Sequence, residues 1–230
     1  MRVVGGYKIY KVIVKKDDCI LYYGKKILSD NKVVLKYYRN INTLILDRIK
    51  LNININHDNI LKYNDIIINN GVYLIMDYYD ITLEDLLIEK FNYNVSLNYF
   101  YQFIKLLNYL YKNNLTKKTI KPQNILISSD LKKIKLCGSF YKSSDENKNN
   151  NIWSIGLILY KMIYGKNMCG IYNNFYDINR TYYLIKPLND YSNIITIFLS
   201  YLSDRKLDEL ANFIEFVLNN YNNDIIVNTQ

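Results

Sequence analysis

The chain has 230 residues, half of them apolar or aromatic and only 22% charged, which excludes an extended disordered segment and provides enough apolar side chains for a core. The formal charge is +9, but the lysines are dispersed apart from pairs such as Lys15-Lys16, Lys25-Lys26 and Lys132-Lys133. Asn, Ile, Lys and Tyr dominate, with 25 Tyr against 1 Trp, a bias that A/T-rich codons produce without selection for binding. This lowers the weight of the charge as a nucleic-acid signature and suggests an AT-rich genome, as of a virus or intracellular parasite. His57 is the only histidine, and the three cysteines (Cys19, Cys137, Cys169) are far apart in the chain, so reduced thiols are expected rather than a four-ligand zinc site. No apolar run reaches the roughly 18 residues a membrane span requires. The first residues, MRVVGGYKIYKV, lack the continuous apolar centre of a secretory leader. A cytoplasmic protein with no membrane partner is the expectation.

In chain order, YKIYKVIVKK, CILYYGKKIL and KVVLKYY are β-branched and aromatic runs separated by polar turns, which predicts three strands. NTLILDRIKLNI carries a helical stripe through Leu44, Ile45, Ile49 and Ile53. DIIINN and VYLIMDYY read as two further strands around an Asn69–Gly71 turn. From residue 81 the pattern becomes helical. ITLEDLLIEKF predicts a helix capped by Thr82, with Glu84 and Asp85 in its first turn. SLNYFYQFIKLLNYLYKNNL predicts a helix capped by Ser96, with an apolar face of Leu97, Phe100, Tyr101, Ile104, Leu107 and Leu110. NILIS and KIKLC flank a hairpin turn. NNNIWSIGLILYKMIYG is an apolar helix closed by Gly165, and IITIFLSYL with KLDELANFIEFVLNNY predicts a final helical pair.

Five strings, in order, resemble the protein kinase superfamily. VVLK (Val33–Lys36) resembles the strand bearing the ATP lysine, HDNIL (His57–Leu61) the segment after the regulatory helix, and LIMDYYD (Leu74–Asp80) the last small-lobe strand and hinge. IKPQNILI resembles the serine/threonine-type catalytic loop, with Lys121 and Asn124 spaced as in D-x-K-x-x-N, and NIWSIGLILYKMIYG the central large-lobe helix. The resemblance implies a two-lobed α+β fold: a small β-rich N-lobe over residues 1–79, a helical C-lobe over 80–230, and a shortened activation segment.

Phosphoryl transfer depends on positioning and charge stabilisation, and the resemblance implies that most of the required parts are missing. The three loop glycines fall on Val14, Lys16 and Cys19, where side chains would hold the backbone off the phosphates. Asp17 and Asp18 at the loop tip would repel a polyphosphate. Lys36 is the remnant ATP lysine, and Val34 stands where the family has an alanine against the adenine ring, narrowing that space at a cost of about 1–3 kcal/mol. Asp77, Tyr78 and Tyr79 fall on the hinge. The acidic partner of Lys36 is either Asp47 or absent, since the matching position is Arg48. Thr119 occupies the catalytic-base position, forfeiting an effect of about 10²–10⁴-fold. Gly138 occupies the magnesium-aspartate position, leaving Asn124 as a lone neutral oxygen, a poor site for a hard cation. Only YKSSDENKNN separates Phe140 from Asn151, no A-P-E string occurs, and Arg205 lacks the glutamate it would pair with. Asn151 replaces the aspartate that braces the catalytic loop. Lys117 and Ser139 replace the two aromatic members of the internal packing column, where polar groups should fail to complete an apolar stack.

The expectation is a pseudokinase with no metal and no cofactor, acting on a protein partner such as a kinase or kinase substrate. The alternatives are a divergent serine/threonine kinase using ATP and magnesium, or a basic nucleic-acid-binding protein on the same scaffold.

Overall fold

The computed structural model describes residues 2–117, 120–142 and 145–165, with Glu209 and Asn212 beyond them. Thr119, Cys169, Arg205 and, apart from those two positions, the expected terminal helical pair lie outside the described residues. The chain divides into two compact units, residues 1–80 with Cys137–Ser139, and residues 81–136 with those from Phe140 onward.

The first unit is built on a six-stranded antiparallel sheet. Its strands are β1 (Arg2–Val4), β2 (Tyr7–Lys15), β3 (Ile20–Lys26), β4 (Lys32–Tyr38), β5 (Asp65–Ile68) and β6 (Val72–Asp77), in spatial order β1-β2-β3-β4-β6-β5. The expected three strands before the helix are therefore four. The missed one, β1, is three residues long and folds back on β2 through Gly5-Gly6, a two-residue hairpin signal that stands in the sequence. The sheet curls enough for the Tyr7 hydroxyl on β2 to donate to Asp65 Oδ2 on β5 at 3.3 Å.

Strand alternation sorts the side chains into two apolar clusters. Val33, Leu35 and Tyr37 of β4 join Tyr7, Ile9, Tyr73 and Ile75 on one face. On the other, Tyr38, Val72, Leu74 and Cys19 meet Ile45 and Ile49 of helix α1 (Thr43–Ile53). Asn42 caps α1, its side chain accepting from Ile45 N at 2.8 Å.

The second unit opens with strand β7 (Ile81–Thr82) and a single helical turn, α2 (Leu83–Leu86), closed by a reciprocal capping box between Thr82 and Asp85. The Thr82 cap matches the sequence, but the helix stops after four residues instead of running through Phe91. Helix α3 (Tyr93–Lys112) begins earlier than expected. Its cap is Asn92, and Ser96 lies inside the helix, its hydroxyl donating to Asn92 O at 3.1 Å. The apolar face buries Leu97, Phe100, Ile104, Leu107 and Leu110 as anticipated, together with Tyr99, Phe103 and Leu106.

Beyond strand β8 (Leu115–Thr116), a 3₁₀ turn (Pro122–Asn124) leads into the hairpin of β9 (Ile125–Ile127) and β10 (Ile134–Leu136). Helix α3 grips this hairpin. Tyr99 donates to Leu131 O at 2.6 Å, and Gln102 donates to Lys132 O and accepts from Ile134 N. Strand β11 (Tyr141–Lys142) pairs with β8, and helix α4 (Asp145–Tyr164) follows. The helix begins four residues before the sequence pattern placed it. No helix among the described residues is long and apolar enough to cross a membrane.

Candidate functional site

The residues singled out from the sequence fall in both units. In the first, β4 carries Val34, Lys36 and Tyr38 on one face. Lys36 Nζ donates to Ser139 Oγ at 3.3 Å and lies 5.0 Å from the centre of the Tyr38 ring. Burial works to lower the Lys36 pKa, but Tyr63, Tyr38 and Cys19 outweigh it and hold the value above the ordinary lysine range. Burial pushes the Tyr63 hydroxyl up to about 12, only partly offset by Lys36, and raises the Cys19 thiol as well. At neutral pH Lys36 is thus an ammonium near the protonated Tyr63 hydroxyl and Cys19 thiol.

Among the described residues, no carboxylate pairs with Lys36. Asp47 is exposed, while the buried side of α1 is Ile45, Ile49 and Asn52. Arg48 reaches Asp18 on the β2–β3 turn at 3.2 Å. Asp18, expected at the loop tip to repel a polyphosphate, is therefore paired with Arg48. Sequence reasoning missed Tyr38, Tyr63 and the Ser139 hydroxyl as the surroundings of Lys36. Tyr38 was legible as its i+2 neighbour on a strand; nothing local marks Tyr63.

This composition gives a stability prediction. Lys36→Met keeps the apolar stem and removes a half-buried charge that has no acidic partner, so stability by chemical denaturation should fall by no more than about 1 kcal/mol. A loss of about 3–5 kcal/mol, the cost of breaking a buried ion pair, would show that an acidic partner exists.

The turn between β2 and β3 is four residues, Lys16–Cys19, closed by Lys16 N donating to Cys19 O at 2.9 Å. Of the positions matching the loop glycines, Val14 and Lys16 are exposed and Cys19 is buried against Ile45 and Leu74. Val34 lies opposite Met76 on β6 and Tyr23 on β3. At the hinge positions, Asp77 accepts from Asn64 Nδ2 at 2.6 Å, Tyr78 meets Tyr23 edge-on at 5.1 Å, and the Tyr79 pKa is raised by burial and by Asp77. Cys137 is only partly buried. Gly138 is exposed and has φ +101°, a backbone conformation side-chain-bearing residues rarely adopt.

In the second unit, Lys121 stands before the 3₁₀ turn, and Asn124 closes it, its N–H donating to Lys121 O at 2.9 Å. Lys117 is buried and its Nζ lies 5.3 Å from the Phe140 ring centre. The aromatic side chain comes from the residue after Ser139, and a cation–π contact replaces ring stacking. Asn151 is fully buried and donates through Nδ2 to Thr116 Oγ1 at 2.6 Å, while its Oδ1 has no partner among the described residues. Helix α4 starts at Asp145, so only Tyr141–Ser144 separate it from Phe140.

The sheet order, the position of Lys36 on β4 and the β9–β10 hairpin after the IKPQN turn define a protein-kinase type of chain. The protein kinase domain model matches residues 5–139, more than half of the sequence, and the chain belongs to the protein kinase superfamily. It is 29% identical over 140 residues to an Acanthamoeba polyphaga mimivirus protein provisionally named a serine/threonine-protein kinase, covering 55% of this chain and 51% of that one. It is 27% identical over 113 residues to cyclin-dependent kinase F-4 of Oryza sativa, covering 47% of this chain and 25% of the relative. An Aurora kinase of Debaryomyces hansenii is 25% identical over 201 residues, covering 72% of this chain and 47% of the kinase. The chain spans about half the length, or less, of these relatives.

Proposed function

We propose that this chain is a pseudokinase, a kinase-like domain that acts by binding a protein partner in a kinase pathway and does not transfer phosphate. The observation that carries this reading is Gly138. It stands where the family places its magnesium-binding aspartate, it offers no ligand, and its φ of +101° disfavours any residue that could. In the second unit, Asn124 matches the family's other metal position and offers one neutral oxygen. Among the described residues no three His, Cys, Asp or Glu side chains converge. This donor set does not fit magnesium, a hard cation that is bound through carboxylates.

Three further features support the reading. The β2–β3 turn carries side chains where backbone must approach phosphate. Lys36 is held among tyrosines and Ser139 instead of by an acid. The short span from Phe140 to α4 leaves no room for the segment on which substrate kinases seat their peptides. A phosphate-transfer assay against generic protein substrates, with Lys36→Ala as control, tests the proposal. The expected incorporation is equal in both proteins and at background; incorporation that Lys36→Ala abolishes would establish an active kinase.

A further inference from the structure

The first unit carries a cluster of which the kinase reading uses only Tyr78, at the hinge. Cross-strand register sets Lys8 opposite Lys25 and Lys25 opposite Lys32, a row of three lysines on one face of β2, β3 and β4. Like charges directly opposite one another destabilise a sheet. Asp30 offsets Lys25 at 2.7 Å and Asp80 offsets Lys32 at 3.0 Å, but among the described residues no carboxylate pairs with Lys8.

Beside this row runs a chain of rings. A β-bulge between Ile9 and Lys11 adds Tyr10 to β2, so that Tyr10 and Lys11 both meet Tyr23. Tyr10 and Tyr23 lie 5.9 Å apart, and Tyr23 and Tyr78 lie 5.1 Å apart. Lys11 stands over the Tyr23 ring at 5.9 Å and Lys32 over Tyr78 at 5.5 Å. Tyr10, at the open end of the chain, is 50% exposed.

We propose that this face is a binding surface for single-stranded nucleic acid, independent of any phosphate transfer. The lysine row supplies an electrostatic track for phosphates, and the half-exposed Tyr10 ring supplies a stacking platform that any base can use. Four lysines (Lys8, Lys11, Lys25 and Lys32) against two carboxylates leave the surface positive. An acidic peptide would satisfy the lysines but would make no use of the exposed Tyr10 ring, over which no lysine stands among the described residues, which is why nucleic acid is the better fit.

Fluorescence anisotropy of the full chain with a labelled oligo(U) of about 12 nucleotides tests this. Binding should weaken steeply between about 50 and 200 mM salt. Tyr10→Ala should weaken it roughly tenfold and Tyr10→Phe should leave it unchanged, because the ring and not the hydroxyl stacks. Lys8→Gln should lower the salt slope by about one. No anisotropy change at low salt would overturn the proposal. So would binding that Tyr10→Ala and Lys8→Gln leave intact, which would place it elsewhere. Displacement by polyglutamate with no effect of Tyr10→Ala would also overturn it, in favour of an acidic protein ligand.

Discussion

Gly71→Ala should be among the most damaging single-methyl substitutions in the first unit, lowering its stability by about 2–5 kcal/mol. Gly71 ends the turn between β5 and β6 at φ +130°, after Asn70 at φ +48°. A methyl group at position 71 would face two obstacles at once. The backbone conformation is one that alanine avoids, and the added carbon would collide with the Tyr38 carbonyl and approach Tyr37 Cε2 to 2.6 Å. The carbonyl belongs to a strand fixed on both sides, since β4 pairs with β3 and with β6, so it cannot retreat. The Tyr37 ring is stacked on Tyr73 at 4.4 Å and its hydroxyl donates to Asn70 O, so the ring has little room to move either. Domains are stable by only about 5–15 kcal/mol, so the loss should be plain in a denaturant titration followed by circular dichroism. A change below about 1 kcal/mol would mean that the turn relaxes in a way the strand pairing does not permit.

Restoring the two missing aspartates should not create a kinase. Thr119→Asp returns a candidate base, worth about 10²–10⁴-fold in a functioning site. Gly138→Asp would place an aspartate at the family's metal position, but puts a side chain on a backbone at φ +101° at a cost of about 1–3 kcal/mol. Neither change supplies an acid for Lys36, restores glycine at Val14, Lys16 and Cys19, or lengthens the four residues before α4. The double variant should therefore give phosphate incorporation at the level of the parent and a lower melting temperature. Incorporation well above background in the double variant, lost again on adding Lys36→Ala, would mean that the site is intact apart from two side chains.

Much of the first unit was legible because its signals are local. Alternating β-branched and aromatic runs mark β2, β3, β4 and β6, and the Asn69–Gly71 turn marks the β5–β6 hairpin. β1 escaped because three residues are too few for alternation to register, although Gly5-Gly6 beside them signals a turn. The truncated α2 and the early start of α3 escaped for a different reason. Apolar periodicity continues through ITLEDLLIEKF, but Phe91 N donates to Met162 O on α4, a long-range contact that no local pattern contains.

The candidate site divides the same way. Motif spacing singled out Lys36, Lys121, Asn124 and Gly138, because the family pattern is a pattern in sequence. What surrounds them was not legible. Tyr63 reaches Lys36 from 27 positions further along the chain (63 − 36), and Arg48 reaches Asp18 from another element. Phe140 meeting Lys117 depended on which of two neighbouring residues the backbone turned inward after β10. Gly138, at φ +101°, is part of that turn.

The pseudokinase reading is tested most directly by a thermal-shift titration of the full chain with ATP, in the presence and absence of magnesium. Binding to the folded state stabilises it, by an amount that grows with the logarithm of ligand concentration over Kd, so a working metal–nucleotide site must raise the melting temperature in the presence of the metal. With no carboxylate at position 138 and none on Lys36, magnesium should add nothing to whatever shift ATP alone produces. A shift of several degrees that requires magnesium and disappears in Lys36→Ala would contradict the account.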